Sequence, residues 1–271
     1  MDYPEITIGG PVRNRAWILP MYLQKLYELD YPKGKIRFLF VLNDSKDSSE
    51  QILIDFKNKY RSEYAGFRMF TINAGTPEDS RMTDEGRTPI YYHLANVRNS
   101  LIEKIETPYY LSVDTDILVP PHTIKTLLES DKDMVAGVIW NDYIRKPSAV
   151  YPDARPNFMI NNGGKLEHYK KYPLNSLFEV HTTGAVCLMS KAICEKVRFH
   201  GSQKGEDIPF CIEAREKGFS VWVNSRVFAH HIMIVYQTLC RDCKRECKQV
   251  RVVDNQISPE LGRCERRLIN K

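Results

Sequence analysis

The chain has 271 residues, of which 42% are hydrophobic and 27% are charged, and its formal net charge is +5. This balance is that of an ordinary globular protein, and it argues against a disordered chain. No run approaches the ~18 consecutive apolar residues of a membrane span, and the N-terminus lacks the basic and apolar regions of a signal peptide. We therefore expect a cytoplasmic protein in which 1–235 form one α/β domain and 236–271 form a basic, cysteine-rich extension.

The first third of the chain alternates between apolar runs and amphipathic stretches. Apolar residues at spacings of three and four predict helices, and short apolar runs that end in Gly, Pro, Asn or Asp predict strands. In chain order the predicted elements are a strand at 6–8, a helix at 17–29, a strand at 36–42, a helix around 52–56 and a strand at 67–72. A polar loop is predicted over 73–88. This alternation is typical of a parallel sheet flanked by helices.

The same alternation continues to about residue 223. The predicted elements are a helix at 91–105, a strand at 109–113, a helix ending near 128, a strand at 134–140, a hairpin turn at 161–164, an apolar run at 180–189, a helix at 191–197, a helix ending near 216 and a strand at 220–223. The fold class is therefore α/β, with a mixed and mostly parallel sheet.

Asp114 and Asp116 stand at the end of the apolar run 109–113. In open parallel sheets, ligands bind beyond the carboxyl ends of the strands. Two carboxylates one residue apart can share one Mg²⁺ or Mn²⁺ ion, which in turn neutralises a diphosphate. A solvated turn also explains such a pair taken alone. Its place after a buried strand favours a metal site.

The ordered set of motifs around this pair resembles the GT-A-fold glycosyltransferases, especially family-2-like enzymes. The resemblance rests on Val12-Arg13-Asn14-Arg15, Leu39 to Asp44, His93 to Asn99, Asp114-Thr115-Asp116, Gly205-Glu206-Asp207 and His231. It covers roughly residues 5–235 and implies a Rossmann-like GT-A fold that binds a nucleoside diphosphate sugar together with Mn²⁺ or Mg²⁺.

Five positions are predicted to bind the donor in addition to the acidic pair itself. Arg13 and Arg15 follow the first strand, where guanidinium groups can hold a phosphate or a base, or can lie free on the surface. The resemblance implies that Asp44 binds the base or ribose, although an Asx turn also explains an aspartate there. It further implies that Arg98 approaches the diphosphate and that Thr115 lies in the donor site.

The resemblance also implies the catalytic base and the third metal ligand. Asp207, with Glu206 as second choice, matches the carboxylate that takes the proton of the acceptor hydroxyl in inverting enzymes. An acidic helix N-terminus explains the same residues without catalysis. His231 matches a histidine that completes the metal shell with Asp114 and Asp116, since neutral imidazole can join carboxylates around Mn²⁺. His230 is the alternative ligand.

A third group of residues is predicted to face the acceptor or the donor sugar. Thr183 and Gly184 line this pocket in the resemblance, and Gly184 would permit close backbone approach. Trp140, Asn141 and Asp142 end another predicted strand and could stack on a sugar or hydrogen-bond to it. Burial in the core is the alternative for Trp140.

Four of the seven cysteines lie near the C-terminus, at Cys240, Cys243, Cys247 and Cys264. Four thiolates can close a tetrahedral Zn²⁺ site, and the expected cytoplasmic location favours metal over disulfides. Disulfides and unpaired thiols remain alternatives. The basic residues around them are typical of a solvated surface and could also bind an anionic partner.

The sequence thus favours a metal-dependent glycosyltransferase that moves a sugar from a nucleoside diphosphate sugar to an acceptor hydroxyl on a glycan, protein or small molecule, with inversion. A retaining enzyme of the same fold is the first alternative. A nucleotidyltransferase is a second, although no Gly-rich phosphate loop follows the first strand. A nucleic-acid-binding module built on the basic extension is a third.

Overall fold

The computed structural model describes residues 3–76, 84–141, 155–237 and 247–253. Its α-helices within those ranges are α1 Leu19–Tyr27, α2 Ser49–Tyr60, α3 Asp84–Ile102, α4 Thr123–Leu128, α5 Lys191–Lys196 and α6 Asp207–Glu216. The strands are β1 Ile6–Val12, β2 Ile36–Asn43, β3 Gly66–Ile72, β4 Tyr109–Val113, β5 Ile117–Leu118, β6 Met134–Val138, β7 Trp140–Asn141, β8 Arg155–Pro156, β9 Met159–Asn162, β10 Lys165–His168, β11 Leu177–Val180, β12 Val186–Ser190, β13 Val221–Phe228, β14 His230–Gln237 and β15 Cys247–Val253. None of the helices in these ranges is long and apolar enough to cross a bilayer.

Eight strands form the central sheet in the order β11-β13-β6-β12-β4-β1-β2-β3. β1 pairs in parallel with both β2 and β4, and β13 pairs in parallel with β6. β12 is antiparallel to both of its neighbours, and β11 is antiparallel to β13. The predicted mixed, mostly parallel sheet is therefore confirmed.

The sheet has an apolar core on each face because its central strands are buried on both sides. Along β2, for example, Phe38 and Phe40 pack on one face, whereas Leu39 and Val41 pack on the other. Helices α1, α2 and α4 cover the first face, and α3, α5 and α6 cover the second. A helix–sheet–helix sandwich follows, as a parallel sheet of continuous hydrophobic strands requires.

The strand order reverses between β1 and β4. From β1 the chain proceeds outward through β2 and β3, and it then returns to place β4 on the other side of β1. β1 pairs with β4 only as far as Gly9, which lies opposite Ser112. Beyond Gly9, β1 pairs with β2 but no longer with β4, and this pairing continues to Val12. Ligands of open α/β sheets bind in the crevice at such a reversal point. The residues that follow β1 and β4 therefore line the favoured binding crevice.

Several element boundaries differ from the predicted ones. β1 continues through Gly9 and Gly10, where a loop was expected. The neighbouring strands lie so close to β1 that a Cβ at either residue would overlap a backbone carbonyl group. Glycine here permits close strand approach instead of ending the strand. α3 begins at Asp84, although Gly86 and Pro89 disfavour helix in a sequence-based prediction. The hairpin turn is confirmed between β9 and β10.

A three-stranded antiparallel ribbon of β5, β14 and β15 lies beside the central sheet. β14 pairs with β5, with His231 opposite Ile117, and with β15 from His231–Val253 to Gln237–Cys247. The predicted division at residues 235 and 236 falls inside β14. The separation of the extension from the domain stays a prediction.

Candidate active site

The acidic pair occupies a tight turn between β4 and β5. The amide of Asp114 donates to the carbonyl of Ala185 at 2.9 Å, and the amide of Ile117 donates back to the carbonyl of Asp114 at 2.9 Å. The buried hydroxyl of Thr115 donates to the carbonyl of Pro11 at 3.1 Å, which ties the turn to β1. Thr115 therefore acts in the fold of this turn, and the two carboxylates project from a fixed backbone.

Asp114, whose side chain is 29% exposed, belongs to a group of four charged residues that we call the inner cluster: Arg98, Asp114, Glu206 and Asp207. Arg98 on α3 donates through Nη2 to Asp114 Oδ1 at 2.7 Å and through Nε to Glu206 Oε1 at 2.9 Å. Arg98 is 5% exposed and Glu206 is 4% exposed. One guanidinium thus joins the end of β4 to the start of α6, and such charge-assisted bonds are strong where water is excluded.

Asp207 opens α6 next to Glu206 and packs on the backbone of Gly184. A Cβ added at Gly184 would overlap the Asp207 carboxylate. Burial, followed by the charge of Glu206, holds the pKa of Asp207 well above its usual range. Burial also raises the pKa of Glu206, and the neighbouring Arg98 only partly opposes that rise. A carboxyl group with a raised pKa is a stronger base once it ionises.

Asp116 belongs to a second group, which we call the outer cluster: Arg15, Asp116 and His231. Arg15 Nη2 donates to Asp116 Oδ2 at 3.0 Å, and the Arg15 side chain is 26% exposed. His231 Nε2 lies 3.9 Å from the same carboxylate oxygen. The pairing of β14 with β5 places His231 here, and the amide of Ile232 donates to the carbonyl of Asp116 at 2.9 Å.

The outer cluster has the chemistry of a divalent cation site. Carboxylate oxygens and a neutral imidazole suit Mn²⁺. Ligands at ~2.1 Å from a common ion lie about 3 to 4 Å from each other, and the separation of Asp116 Oδ2 and His231 Nε2 falls in that range. Among the described residues, no group of three or more His, Cys, Asp or Glu side chains is gathered for a metal. Arg98 already holds Asp114, which is the third predicted ligand.

Asp44 and Arg13 lie on the β2 side of the crevice, where the loop at 73–76 closes on them. Asp44 has a left-handed backbone with φ of 49° and accepts a hydrogen bond from the amide of Thr76 at 3.0 Å. Burial alone would raise the pKa of Asp44, but hydrogen bonds from Thr76 and Gly75 and the charge of Arg13 outweigh it and lower that pKa. Arg13 Nη2 donates to the carbonyl of Thr76 at 2.9 Å. A negative group is therefore held at the crevice edge.

The predicted acceptor-side residues separate into two environments. Thr183 and Gly184 adjoin the inner cluster, and Thr183 is buried with its amide donating to Cys211 Sγ at 3.4 Å. Trp140 is buried at 8% exposure and its Nε1 donates to the Tyr172 hydroxyl at 3.4 Å, which corresponds to the core alternative. Asn141 ends β7 and is half-buried.

Asp142 lies outside the described residues, as do Cys240, Cys243 and Cys264 of the predicted zinc site, whereas Cys247 begins β15.

Sequence reasoning missed Asn157, which joins three parts of the site. Its Oδ1 accepts from the amide of Ile139 at 3.0 Å, and its Nδ2 donates to the carbonyls of Gly137 at 3.0 Å and Gly184 at 2.7 Å. The side chain thus fixes the backbone that faces Asp207. An asparagine between two short strands, β8 and β9, carries no pattern of its own, so no signal in the sequence could have identified it.

Comparison with known proteins identifies the family and the fold of the chain. A family model described as Anp1 matches residues 2–171, more than half of the chain. Human procollagen-lysine,2-oxoglutarate 5-dioxygenase 2 is 24% identical over 234 residues, which cover 83% of this chain and 29% of that protein. The rat multifunctional procollagen lysine hydroxylase and glycosyltransferase is 20% identical over 234 residues, which cover 82% of this chain and 29% of that protein. The chain spans less than a third of the length of these relatives.

Among solved structures, GalNAc-T7 with UDP, GalNAc and Mn²⁺ has the same fold. It superposes with a TM-score of 0.58 at 11% identity, and the match covers 85% of this chain and 44% of that chain. The resemblance to GT-A glycosyltransferases is thereby confirmed. The chain belongs to the Anp1 family and has the fold of the GT-A glycosyltransferases.

Proposed function

We propose that this chain transfers a sugar from a nucleoside diphosphate sugar to an acceptor hydroxyl, with a divalent cation bound at Asp116. The observation that carries the proposal is the position of Asp114 and Asp116 at the reversal point between β1 and β4, with Arg15 and Arg98 on their carboxylates. Acidic and guanidinium groups together suit a cation and a diphosphate. The relative of known structure with UDP, GalNAc and Mn²⁺ supports the same assignment.

Each side of the crevice has a separate task in this proposal. Asp44 accepts hydrogen bonds from the base or ribose, and Arg13 and Arg15 face the phosphates. Asp116 and His231 hold the cation, and the carboxylate of Asp114 adds negative charge next to it. A bound Mn²⁺ or Mg²⁺ supplies positive charge that stabilises the departing diphosphate.

Asp207 takes the proton of the acceptor hydroxyl in the inverting form of the reaction. Its place beside Gly184, at the inner wall of the crevice, and its raised pKa support this role. In a retaining enzyme the same carboxyl would position the acceptor instead. The anomeric configuration of the product, measured by NMR, decides between the two.

The test is a panel of UDP and GDP sugars with Mn²⁺, measured for thermal stabilisation and for hydrolysis. A ligand at about 100 times its Kd stabilises the folded state by about 2.7 kcal/mol, so the donor should raise the melting temperature clearly. Absence of a shift with every sugar nucleotide would contradict the proposal. Release of pyrophosphate from a nucleoside triphosphate would favour the nucleotidyltransferase alternative.

A structural zinc site at Cys240, Cys243, Cys247 and Cys264, and a cytoplasmic location, stay predictions. The zinc prediction is checked by metal analysis of the purified full chain. About one equivalent of zinc that survives dialysis is expected, since four thiolates bind Zn²⁺ tightly at neutral pH.

A further inference from the structure

Arg15 already occupies the carboxylate oxygen that the proposed cation needs. Its Nη2 lies 3.0 Å from Asp116 Oδ2, and His231 Nε2 lies 3.9 Å from that same oxygen. A guanidinium and a divalent cation repel each other, so a cation that binds through this oxygen weakens its ion pair with Arg15. Cation binding through Asp116 Oδ2 therefore favours the release of Arg15.

The two arginines of the site differ in whether they can move. Arg98 is held between two carboxylates and is 5% exposed. Arg15 pairs with one carboxylate, is 26% exposed, and makes a second, longer contact of 3.4 Å to the carbonyl of Arg13. Breaking a half-open pair costs far less than breaking a buried one. Arg15 is thus the partner that a cation can displace.

Arg15 also has an unused donor. Its Nε is buried and has no hydrogen-bond partner among the residues that the structure describes. A buried N–H without an acceptor is costly, and a charged one more so. An anion with several acceptor oxygens, such as a diphosphate, would accept hydrogen bonds from Nε and a terminal nitrogen at the same time, as in bidentate arginine–phosphate pairs.

We propose that Arg15 exchanges partners: it pairs with Asp116 as the structure shows, and when a cation binds Asp116 it turns its guanidinium to the donor diphosphate. This inference rests on the proposed function, because it assumes that cation and diphosphate share the crevice. It makes Arg15 the residue that couples the two ligands. Each ligand then raises the affinity for the other by the same factor.

The experiment measures Mn²⁺ binding to the full chain by the electron paramagnetic resonance signal of free Mn²⁺, with and without inorganic pyrophosphate. Pyrophosphate is a diphosphate without a base, and a matched titration without protein measures how much Mn²⁺ it holds in solution. In the wild type we expect pyrophosphate to raise Mn²⁺ affinity roughly 5- to 150-fold, as is typical of coupled sites.

Arg15→Gln removes the competing charge and the phosphate donor together. We expect it to bind Mn²⁺ alone about ten-fold more tightly than the wild type, and to lose most of the pyrophosphate effect. Arg15→Lys keeps the positive charge but cannot make a bidentate contact to phosphate. Its Mn²⁺ affinity and its pyrophosphate effect should lie between those of the wild type and Arg15→Gln. Arg37→Gln is the matched control, since Arg37 pairs with Glu5 at the start of β2 and should leave Mn²⁺ binding unchanged.

Equal Mn²⁺ affinity in the wild type, Arg15→Gln and Arg15→Lys, with the same pyrophosphate effect, overturns the exchange and leaves the proposed donor site intact. Failure of the wild type to bind Mn²⁺ under any of these conditions overturns the metal site and the exchange together. Thermal unfolding confirms that each variant is folded, and Arg15→Lys decides the question if Arg15→Gln is not.

Discussion

The inner and outer clusters begin at aspartates two residues apart but differ in the burial of their arginines and in the number of carboxylates that each arginine contacts. Arg98 in the inner cluster joins two carboxylates from β4 and α6 and is almost fully buried. Arg15 in the outer cluster contacts one carboxylate and is partly open to solvent. The comparison indicates that the inner cluster stabilises the fold, whereas the outer cluster is free to exchange ligands.

The largest expected effect comes from the two arginines themselves. Arg98→Ala leaves the buried carboxylate of Glu206 without a counter-charge, so the free energy of unfolding should fall by about 3–5 kcal/mol. Arg15→Ala breaks a half-open pair and should cost about 1 kcal/mol or less. Denaturant titration measures both. Equal losses in the two variants would contradict the distinction between the clusters.

Gly184→Ala tests how closely the inner cluster is packed. The new Cβ would overlap the Asp207 carboxylate, so Asp207 must move. Since displacement of a reacting group by about 1 Å can cost about 100-fold, we expect turnover to fall by about that factor. Gly34→Ala is the control, because a Cβ there meets no atom within 4 Å. Unchanged turnover in Gly184→Ala would contradict a role of Asp207 in the reaction.

Asp207→Asn tests the raised pKa of Asp207 through the pH dependence of stability. The folded pKa lies above the unfolded value of about 3.9, so between the two the native state holds a proton that the unfolded state has lost. Wild-type stability therefore falls as pH rises through that window, by up to about 1.4 kcal/mol per pH unit. The Asn variant stays neutral and lacks this loss.

Unfolding free energies of wild type and Asp207→Asn should thus agree near pH 4 and diverge at higher pH in favour of the variant. The charge of Glu206 contributes to the raised pKa of Asp207, so the difference between the curves reports the titration of this pair of carboxyl groups. A difference that does not change between pH 4 and 8 would show that Asp207 keeps its ordinary pKa.

Local patterns predicted much of this molecule. The apolar runs gave the positions of β2, β3 and β4, and the place of Asp114 and Asp116 after β4 followed from one buried strand and two acidic residues. Prediction failed where a residue has two compatible roles. The glycines of β1 are compatible with a loop as well as with a close contact between strands. Gly86 and Pro89 disfavour helix, so the first turns of α3 were predicted as a loop.

The contacts that assemble the site join residues far apart in the chain. Arg98 and Glu206 are separated by 108 positions, and the carbonyl of Gly184 meets Asn157 only because the β6 and β12 ends lie side by side. Sequence motifs indicated which residue types take part in the site. The bridging of Asp114 and Glu206 by one guanidinium, and the pairing of Arg15 with Asp116, depend on the folded geometry.

The most direct test of the account is Mn²⁺-dependent turnover of the donor by Asp116→Ala. We expect turnover to be lost, since the cation loses its carboxylate, while the free energy of unfolding changes by about 1 kcal/mol or less because the outer cluster is half-open. Excess chelator should abolish wild-type turnover in the same assay. Full activity of Asp116→Ala, or of the wild type in excess chelator, would contradict the proposed metal-dependent mechanism.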